Sequence, residues 1–465
     1  FVSRDRFAIK PLYYYQDATC IVFASEIKAL LQIPRVKSSP NLEYLSGYLS
    51  TGATEWVEET AFTNIKRFPF AHSTVIDLSG PGDWEPARYW DVEANISQER
   101  YDEETAQRYA KRYLELLTDA VRIRLRSDVA VGCSLSGGLD SSSVVYLADA
   151  LLSQTEGGPR LSTYSSVYNS PEAKHCDESY FIDMLQAHLG FDSYKMEPKQ
   201  EDVPHLSELV ARQQEMPPDG LAMSGINTIG LARDIGLTVT LDGQGADEVQ
   251  AGYETYLVTF LTSVSWLDYF REIRAANAVL KDSNVRRQII GAAVVGRFFG
   301  RRQLNRLLKL AGKLLTYRHR FLNDELRHSV EHRLVNLMHY SDSRSMHHSI
   351  ESRMPFMDHR VVEFSLSVPA CYKVHNGYSK YFARLAFDGK LPDEITWRKD
   401  KMGWPAPVVQ WLHGPVGAWV DKMIRGSDVL SRLGVDRSGP ARNDTRRIRF
   451  FNIAMWEKVY WSRSA

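Results

Sequence analysis

Residues 136–142, SGGLDSS, bring together three hydroxyls, two glycines and one carboxylate. Gly137 and Gly138 lack a Cβ atom, so the backbone there can turn tightly and approach a ligand. The hydroxyls lie beside the start of a helix predicted over residues 142–151, whose first N–H groups favour anions. Asp140 stands inside this loop, and a carboxylate beside a polyphosphate requires a divalent cation between them. The loop therefore predicts a site for a polyphosphate and a divalent cation.

An apolar run from Val129 to Leu135 leads directly into the loop and predicts a buried parallel strand. The loop lacks the GxxxxGK[ST] pattern and has no lysine to reach a β- or γ-phosphate, so it differs from the common phosphate loop. The alternative is an ordinary Ser/Gly turn after a strand.

A second cluster, residues 242–248, reads DGQGADE and follows the strand predicted over residues 237–241. An acidic surface turn is one interpretation. The position after a buried strand favours a functional one, because Asp247 could share a cation with Asp140. Gly243 and Gly245 would let a nucleotide lie against the backbone.

Strands and helices alternate around these two loops. The predicted helices cover residues 101–126, 178–189, 206–214 and 226–235, and a further strand covers residues 161–168. This alternation predicts an α/β fold with a doubly wound parallel sheet, which binds ligands at the carboxyl ends of its strands. Residues 255–345 are predicted to be helical, and a further helix is predicted over residues 379–387, which include Lys380. The first 95 residues are β-rich, with strands predicted over 11–15, 20–24 and 73–78 and a helix over 25–31.

The composition is that of a soluble globular protein long enough for two domains. The 465 residues include 57 basic and 57 acidic side chains, so the whole molecule has no bulk attraction for nucleic acid or anionic membrane. The four cysteines lack zinc-type spacing, which favours a reducing compartment. We therefore expect a cytoplasmic protein with small-molecule substrates, no membrane or nucleic-acid partner, and a homodimer as its candidate assembly.

Five segments follow one another in the order found in asparagine synthetase synthase domains, and they read SLSGGLDSS, DGQGADEVQAGY, IESRMPFMDHR, NGYSKYFARLAF and LPDEITWRKDKMGW. The chain resembles the asparagine synthetase B family, whose synthetase domain is an ATP pyrophosphatase. Near the N-terminus, SRDRFAIKPLYYY, FASEIKALL and RYWDVE resemble the second half of that family's Ntn-type glutaminase domain. The resemblance implies a partial glutaminase domain over residues 1–98 and a synthetase domain with helical additions over 99–465.

This resemblance implies an AMP-forming carbon–nitrogen ligase. A carboxylate, with aspartate as the first choice, attacks the α-phosphorus of Mg-ATP, and ammonia then displaces AMP from the acyl-adenylate. The intact enzyme would draw ammonia from glutamine. The family's catalytic N-terminal Cys lies upstream of Phe1, so we expect a fragment limited to free ammonia.

The resemblance also assigns site residues. ATP and pyrophosphate would be held by Leu135, Ser136, Gly137, Gly138, Leu139, Asp140, Ser141, Ser142, Val167, Asp242, Gly243 and Lys380. Mg²⁺ would be held by Asp140 and Asp247, and the catalytic candidates are Lys401, Glu351, Gln244 and Asp358.

One residue departs from the family pattern. Well-studied members have Glu at the position of Gln244, where it is thought to help accept a proton from ammonia. An amide cannot take that proton. Glu351 and Asp358 are the nearest alternatives, although the alternation of Glu351, Arg353, Asp358 and Arg360 is also typical of a structural ion-pair network.

Residues 285–323 contain no Asp or Glu and interleave basic with apolar residues. This pattern fits a solvated helical insertion better than a nucleic-acid or membrane surface. The rival functions are amidation of another acid, such as a sugar uronate, a peptide or a natural-product precursor, and ring closure as in β-lactam synthetase. A protein that uses the basic segment to bind nucleic acid, with a nucleotide loop that only switches conformation, is a rival of another class.

Overall fold

The computed structural model describes residues 1–52, 54, 57–79, 84–154, 160–171, 173–213, 223–280, 282–310, 317–399, 407–437 and 444–461. The order of elements runs from a β-rich N-terminal segment into an alternating α/β region and then into helices.

A five-stranded sheet forms the centre of the α/β region, in the order β11-β10-β7-β8-β9. Its strands are β7 Val131–Ser134, β8 Ser162–Ser166, β9 Asp192–Met196, β10 Val239–Leu241 and β11 Glu351–Arg353. Every neighbouring pair is parallel, which confirms the predicted parallel sheet. Neither β9 nor β11 is predicted from the sequence, because their polar residues lack the apolar run of a buried strand.

The remaining strands form two antiparallel sheets near the N-terminus, in the orders β3-β2-β4 and β1-β5-β6. They are β1 Val2–Ser3, β2 Tyr13–Gln16, β3 Ile21–Ala24, β4 Ile65–Arg67, β5 His72–Thr74 and β6 Ala87–Arg88. The hairpin predicted for β2 and β3 is confirmed. The strand predicted over residues 73–78 ends earlier, since residues 75–79 lie outside any strand.

Helices cover both faces of the large sheet and continue beyond it. Those up to β10 are α1 Ile27–Leu30, α2 Leu42–Thr51, α3 Glu103–Arg124, α4 Leu139–Leu152, α5 Ser179–Leu189, α6 Val203–Gln213 and α7 Met223–Asp234. Those between β10 and β11 are α8 Ala246–Gln250, α9 Glu254–Ser263, α10 Trp266–Val279, α11 Ser283–Phe299, α12 Arg301–Leu310, α13 Leu322–His328 and α14 Leu334–His347. Those after β11 are α15 His359–Ser367, α16 Ala370–Lys373, α17 Tyr381–Phe387, α18 Asp393–Thr396, α19 Val408–His413, α20 Pro415–Arg425, α21 Asp428–Arg432 and α22 Asp444–Tyr460. Within the described ranges no helix is long and apolar enough to cross a membrane.

Helix α3 leads the chain into the central strand β7. Asp102 caps its first turn by accepting a hydrogen bond from the Thr105 N–H, and Arg122 and Arg124 lie in its last turn. These charges complement the helix dipole, as the sequence predicts. The apolar stripe of α3 is buried in the core around the parallel sheet.

Two large apolar cores hold the molecule together. The first surrounds the parallel sheet and includes Phe7 and Val92 from the N-terminal segment. The second joins residues 13–65 to helices α6, α20 and α22. The N-terminal segment therefore shares both cores with the rest of the chain.

Candidate active site

The loop 136–142 connects β7 to α4 at the carboxyl edge of the sheet. Helix α4 begins at Leu139, three residues before the predicted start, so Asp140 lies in its first turn. The Ser141 hydroxyl accepts a hydrogen bond from the Ser136 N–H at 3.2 Å, and the two serine Oγ atoms are 3.1 Å apart. Gly137 has φ +74°, which favours glycine. The loop is thus a preformed turn that leads into a helix N-terminus.

The second loop, 242–248, follows β10 and contacts the first. Strands β7 and β10 are parallel neighbours, with Cys133 opposite Leu241. A Cβ atom on Gly243 would lie 3.0 Å from the Ser141 nitrogen, so only glycine allows this close approach without a shift. This contact confirms that the two loops meet at one edge of the sheet.

Lys380 lies between the carboxylates of the two loops. Its Nζ is 2.5 Å from an oxygen of Asp140 and 2.6 Å from an oxygen of Asp247, and only 5% of its side chain is exposed. Burial acts to lower the pKa of Lys380, but the two carboxylates outweigh burial and raise it. Two acidic side chains far apart in sequence therefore converge on one positive charge.

The helix predicted over residues 379–387 includes Lys380, and this prediction is wrong at that residue. Helix α17 begins at Tyr381, and Lys380 precedes it in a left-handed conformation with φ 54°. This conformation is unfavourable for a side-chain-bearing residue. The two ion pairs with Asp140 and Asp247 compensate for it.

Gly252 leaves the space that this cluster needs. A Cβ atom at this position would lie 1.8 Å from Asp247 Oδ1 and 2.3 Å from Lys380 Cε. Asp247 also accepts the Gly252 N–H through its backbone carbonyl at 2.9 Å. The side chains of Asp247 and Lys380 therefore pack directly against bare backbone.

Asp242 is the first residue after β10, and its carboxylate accepts the Gln244 N–H at 3.0 Å. Burial raises the pKa of Asp242 to about 6, although hydrogen bonds and the charge of Arg344 act to lower it. Such a carboxyl group changes its protonation state near neutral pH.

These groups face one cavity of about 340 Å³. The predicted site residues that line it are Leu135, Ser136, Gly138, Leu139, Asp140, Ser141, Asp242, Gly243, Gln244, Asp247 and Lys380. The structure therefore brings together most of the predicted nucleotide site.

Some predicted site residues lie elsewhere. Gly137, Ser142 and Val167 are absent from the cavity lining, and Ser166 lines it in place of Val167. Ser142 is buried within α4, because the helix starts earlier than predicted. Lys401 lies outside the described residues.

Glu351 and Asp358 do not line this cavity either. Asp358 caps α15 and is bound by Arg124 at 3.0 Å and Arg360 at 2.9 Å. Burial acts to raise the pKa of Asp358, but these arginines hold it at about 2. A carboxylate so occupied is a structural anchor between α3 and α15.

Glu351 begins β11, opposite Val239 at the amino end of β10, and the cavity lies at the carboxyl end. Its carboxylate pairs with Arg353 at 2.8 Å. The guanidinium of Arg353 also donates to the carbonyls of Arg124 and Arg126 at the end of α3. The alternating acidic and basic run therefore forms the structural ion-pair network that is typical of such an alternation.

Several cavity residues were not predicted. Glu178 and Arg398 form a buried ion pair of 2.6 Å in the cavity wall, and Arg384 also lines the cavity. Arg384, Arg398 and Gly252 lie within the segments that carry the family resemblance, so a signal was present. Glu178 had none beyond its position at a helix start.

The described residues contain no group of three or more His, Cys, Asp or Glu side chains that could hold a metal ion. Asp140 and Asp247 alone converge, and they already hold the cationic Lys380. Mg²⁺ commonly binds through one or two carboxylates and takes its other ligands from water and phosphates. The pair therefore fits Mg²⁺ that arrives with a nucleotide.

Comparison with known proteins gives the family. Residues 112–449 match the model of the family described as asparagine synthase, and residues 1–90 match the glutamine amidotransferase domain. The chain belongs to the asparagine synthase family. Its α/β architecture is the fold of that family, and the chain is a ligase-type enzyme that uses ATP.

Among the relatives of this asparagine synthase family chain are two proteins of Bacillus subtilis. Asparagine synthetase [glutamine-hydrolyzing] 3 is 30% identical over 94% of this chain and 70% of its own length. Asparagine synthetase [glutamine-hydrolyzing] 1 is 26% identical over 98% of this chain and 75% of its own length. A protein named amidase chyE from Penicillium rubens is 26% identical over 93% of this chain and 71% of its own length.

Proposed function

We propose that this enzyme converts L-aspartate to asparagine through an acyl-adenylate, with ATP cleaved to AMP and pyrophosphate. The observation that carries the proposal is the convergence of Asp140 and Asp247, from two strand-end loops, on Lys380 beside the glycine-rich turn. A polyphosphate needs this combination of a helix N-terminus, hydroxyls and a cation site.

The loop 136–142 would hold the pyrophosphate of ATP, with the Ser136 and Ser141 hydroxyls and the first N–H groups of α4 as donors. Mg²⁺ bound by Asp140 and Asp247 would supply charge neutralisation for the leaving pyrophosphate. Leu135 and Gly243 would contact the nucleoside. Lys380 and Lys401 would stabilise the negative charge that builds up as a carboxylate oxygen of the substrate bonds to the α-phosphorus.

The second step requires a proton acceptor. The nitrogen of ammonia bonds to the activated carbonyl carbon, AMP departs, and the nitrogen loses a proton. Gln244 can orient ammonia but cannot accept that proton. We propose Asp242 as the base, because its carboxylate lines the same cavity, accepts the backbone N–H of Gln244, and has a pKa near that of an effective base.

A second candidate function is amidation of another acid by the same chemistry. It is supported by relatives named amidases, including amidase chyE and, from Gibberella zeae, amidase chry2, which is 24% identical over 93% of this chain. Glutaminase-derived ammonia, a partial glutaminase domain over residues 1–98, a synthetase domain over residues 99–465, a homodimer and a cytoplasmic location stay predictions.

The test is to incubate the protein with ATP, Mg²⁺, ammonium and a panel of acids, and to measure AMP, pyrophosphate and amide product together. We expect asparagine from aspartate in a 1:1:1 ratio with AMP and pyrophosphate. Asp140→Asn should reduce turnover by at least a hundredfold, whereas Asp128→Asn, at an exposed position before β7, should not.

AMP formation only with a different acid would replace aspartate and favour the second candidate. Release of ADP and phosphate in place of AMP and pyrophosphate would contradict the adenylate mechanism. Equal turnover of wild type and Asp140→Asn would contradict the assignment of the site.

A further inference from the structure

Helices α10 and α11 expose a continuous cluster of large apolar side chains, which we name the α10–α11 patch. It consists of Trp266, Leu267, Phe270, Phe298 and Phe299, with 49, 81, 62, 59 and 71% of their surfaces exposed. The Trp266 ring centroid lies 6.1 Å from that of Phe270 and 5.3 Å from that of Phe298. Contiguous exposed apolar surface of this kind marks an interaction site.

The α11 side of the patch is positively charged. The Arg297 guanidinium lies 4.3 Å from the centre of the Trp266 ring, and Arg271 holds the nearby Asp268 in an ion pair of 3.0 Å. From Val285 to Asn323 the sequence has no acidic residue. The apolar cluster is therefore bordered by cations without matching carboxylates on α11.

Helix α12, beyond the turn at Gly300, also exposes apolar side chains among basic ones. Leu304 is buried against the protein, while Leu307 and Leu310 are 44% and 77% exposed. Arg306 and Lys309, each directly before one of these two exposed leucines in sequence, are also exposed. In α12, Leu304 and Leu308 therefore pack against the core around the parallel sheet, whereas Leu307 and Leu310 face solvent.

We propose that the α10–α11 patch and α12 dock the enzyme on the surface of an anionic phospholipid bilayer. Exposed aromatic and leucine side chains would enter the boundary between headgroups and acyl chains, and the arginines would pair with lipid phosphates. This proposal departs from the sequence-based expectation of no membrane partner, because the sequence alone does not reveal which apolar side chains face solvent.

Two other occupants fit the observations less well. A second copy of this chain on a twofold axis would place like-charged arginines opposite one another. Single-stranded nucleic acid would stack on the aromatic rings, but it would give no apolar contact to Leu267 or Leu310. A lipid surface complements both the charge and the aliphatic side chains.

The position of the patch separates docking from catalysis. Helix α10 carries Trp266 at its first residue and Val279 at its last, and Val279 lines the active-site cavity. A helix of this length spans about 20 Å. Docking would therefore leave the cavity open, and patch variants should keep the activity of the free enzyme.

The experiment measures cosedimentation of the full chain with vesicles of phosphatidylcholine alone and of phosphatidylcholine with phosphatidylglycerol. We expect binding to the anionic vesicles, weakened at high salt, and at least tenfold weaker binding to the neutral ones. Leu267→Glu with Phe298→Glu should reduce vesicle binding at least tenfold, and each of Arg306→Glu and Lys309→Glu about fivefold or more.

The matched control is Leu78→Glu, which changes an 88% exposed leucine outside the patch and should leave vesicle binding unchanged. Equal binding to neutral and anionic vesicles, or unchanged binding of the patch variants, would overturn the proposal. So would patch-dependent dimerisation in light scattering, or patch-dependent RNA binding, when either occurs without vesicle binding.

Discussion

Lys380 contributes a fixed positive charge where the substrate's polyphosphate and Mg²⁺ would meet the protein. Its contacts with Asp140 and Asp247 keep the two carboxylates together before any nucleotide binds. A preformed arrangement of this kind reduces the cost of ordering the site on binding. In the proposed function, the lysine therefore serves both the stability of the site and the binding of the nucleotide.

Lys380→Met should therefore remove the charge while it retains most of the side-chain volume. The two carboxylates would face each other without a cation, so we expect a loss of about 3–5 kcal/mol in the free energy of unfolding. Added Mg²⁺ should then raise the melting temperature of the variant more than that of the wild type, as measured by thermal denaturation.

Lys28→Met is the matched control, because the Lys28–Glu26 pair is partly exposed and should contribute no more than about 1 kcal/mol. An equal Mg²⁺ effect on wild type and Lys380→Met would show that the carboxylates do not bind the metal ion.

Asp242 gives a prediction with a defined pH dependence. Because burial raises its pKa from 3.8 to about 6 in the folded protein, protonation favours folding, and this stabilisation is lost as the pH rises through about 6. Asp242→Asn cannot ionise, so it should be more stable than wild type at pH 8 by up to about 3 kcal/mol. The difference should vanish below about pH 4 in denaturation experiments.

The proposed base role adds an independent readout. Wild-type turnover should fall as the pH drops below about 6. Asp242→Asn should lower kcat strongly and change the KM for ammonium much less. Normal kcat in a stabilised Asp242→Asn variant would reject the base role and retain the burial argument.

The sequence was sufficient to predict that Asp140 and Asp247 lie close together, because parallel strands end at one edge of a sheet and each carboxylate follows such a strand. The sequence was insufficient to predict the ion pairs of Asp358, because one of them is made with Arg124, which lies 234 residues away. Pairing across such a separation leaves no local pattern. The left-handed backbone of Lys380 also could not be predicted, because a helix-forming residue beside a helix is assigned to that helix.

Element boundaries set the geometry of the site as much as side chains do. The connection between α8 and α9 passes close to Asp247 and Lys380 at Gly252, where no side chain fits. The predicted α/β alternation indicates that these loops lie at one edge of the sheet. The close approach of Gly252 to Asp247 and Lys380 follows only from the packing of the loops in the structure. Strand β11 was missed because its three residues, ESR, carry no apolar signal.

Gly252→Ala should force Asp247 or Lys380 away from its position. Since both belong to the proposed cation and phosphate site, we expect at least a hundredfold loss in AMP formation, together with a loss of about 1–3 kcal/mol in unfolding free energy. Activity and urea denaturation measured on the same preparation separate the two effects.

Gly291→Ala is the matched control, because Gly291 lies in α11 with nothing within 4 Å of an added Cβ. It should keep activity and increase stability by about 0.5–1 kcal/mol. Full activity of Gly252→Ala would contradict the proposed geometry around Asp247.

At the scale of the whole molecule, the N-terminal segment and the C-terminal helices form a single core. Phe62 and Trp456 are both fully buried there, with ring centroids 5.1 Å apart. Arg449 on α22 also donates to the Leu49 carbonyl at 2.8 Å. Sequence motifs divide the chain near residue 98, whereas one apolar core contains residues from both sides of that point. The motifs do not predict this core, because apolar contacts between residues distant in sequence leave no motif.

Trp456→Ala should therefore weaken the N-terminal segment and the C-terminal helices together. Removal of a buried Trp costs about 3–5 kcal/mol, and limited proteolysis should cut residues 1–98 faster in the variant. A double-mutant cycle with Phe62→Ala should give a coupling of about 0.5–1.5 kcal/mol.

Tyr180→Ala, at a 64% exposed position, should change stability by less than about 0.5 kcal/mol. If Trp456→Ala left cleavage of the N-terminal segment unchanged while it destabilised the rest, the two regions would unfold independently and the shared core would be energetically unimportant.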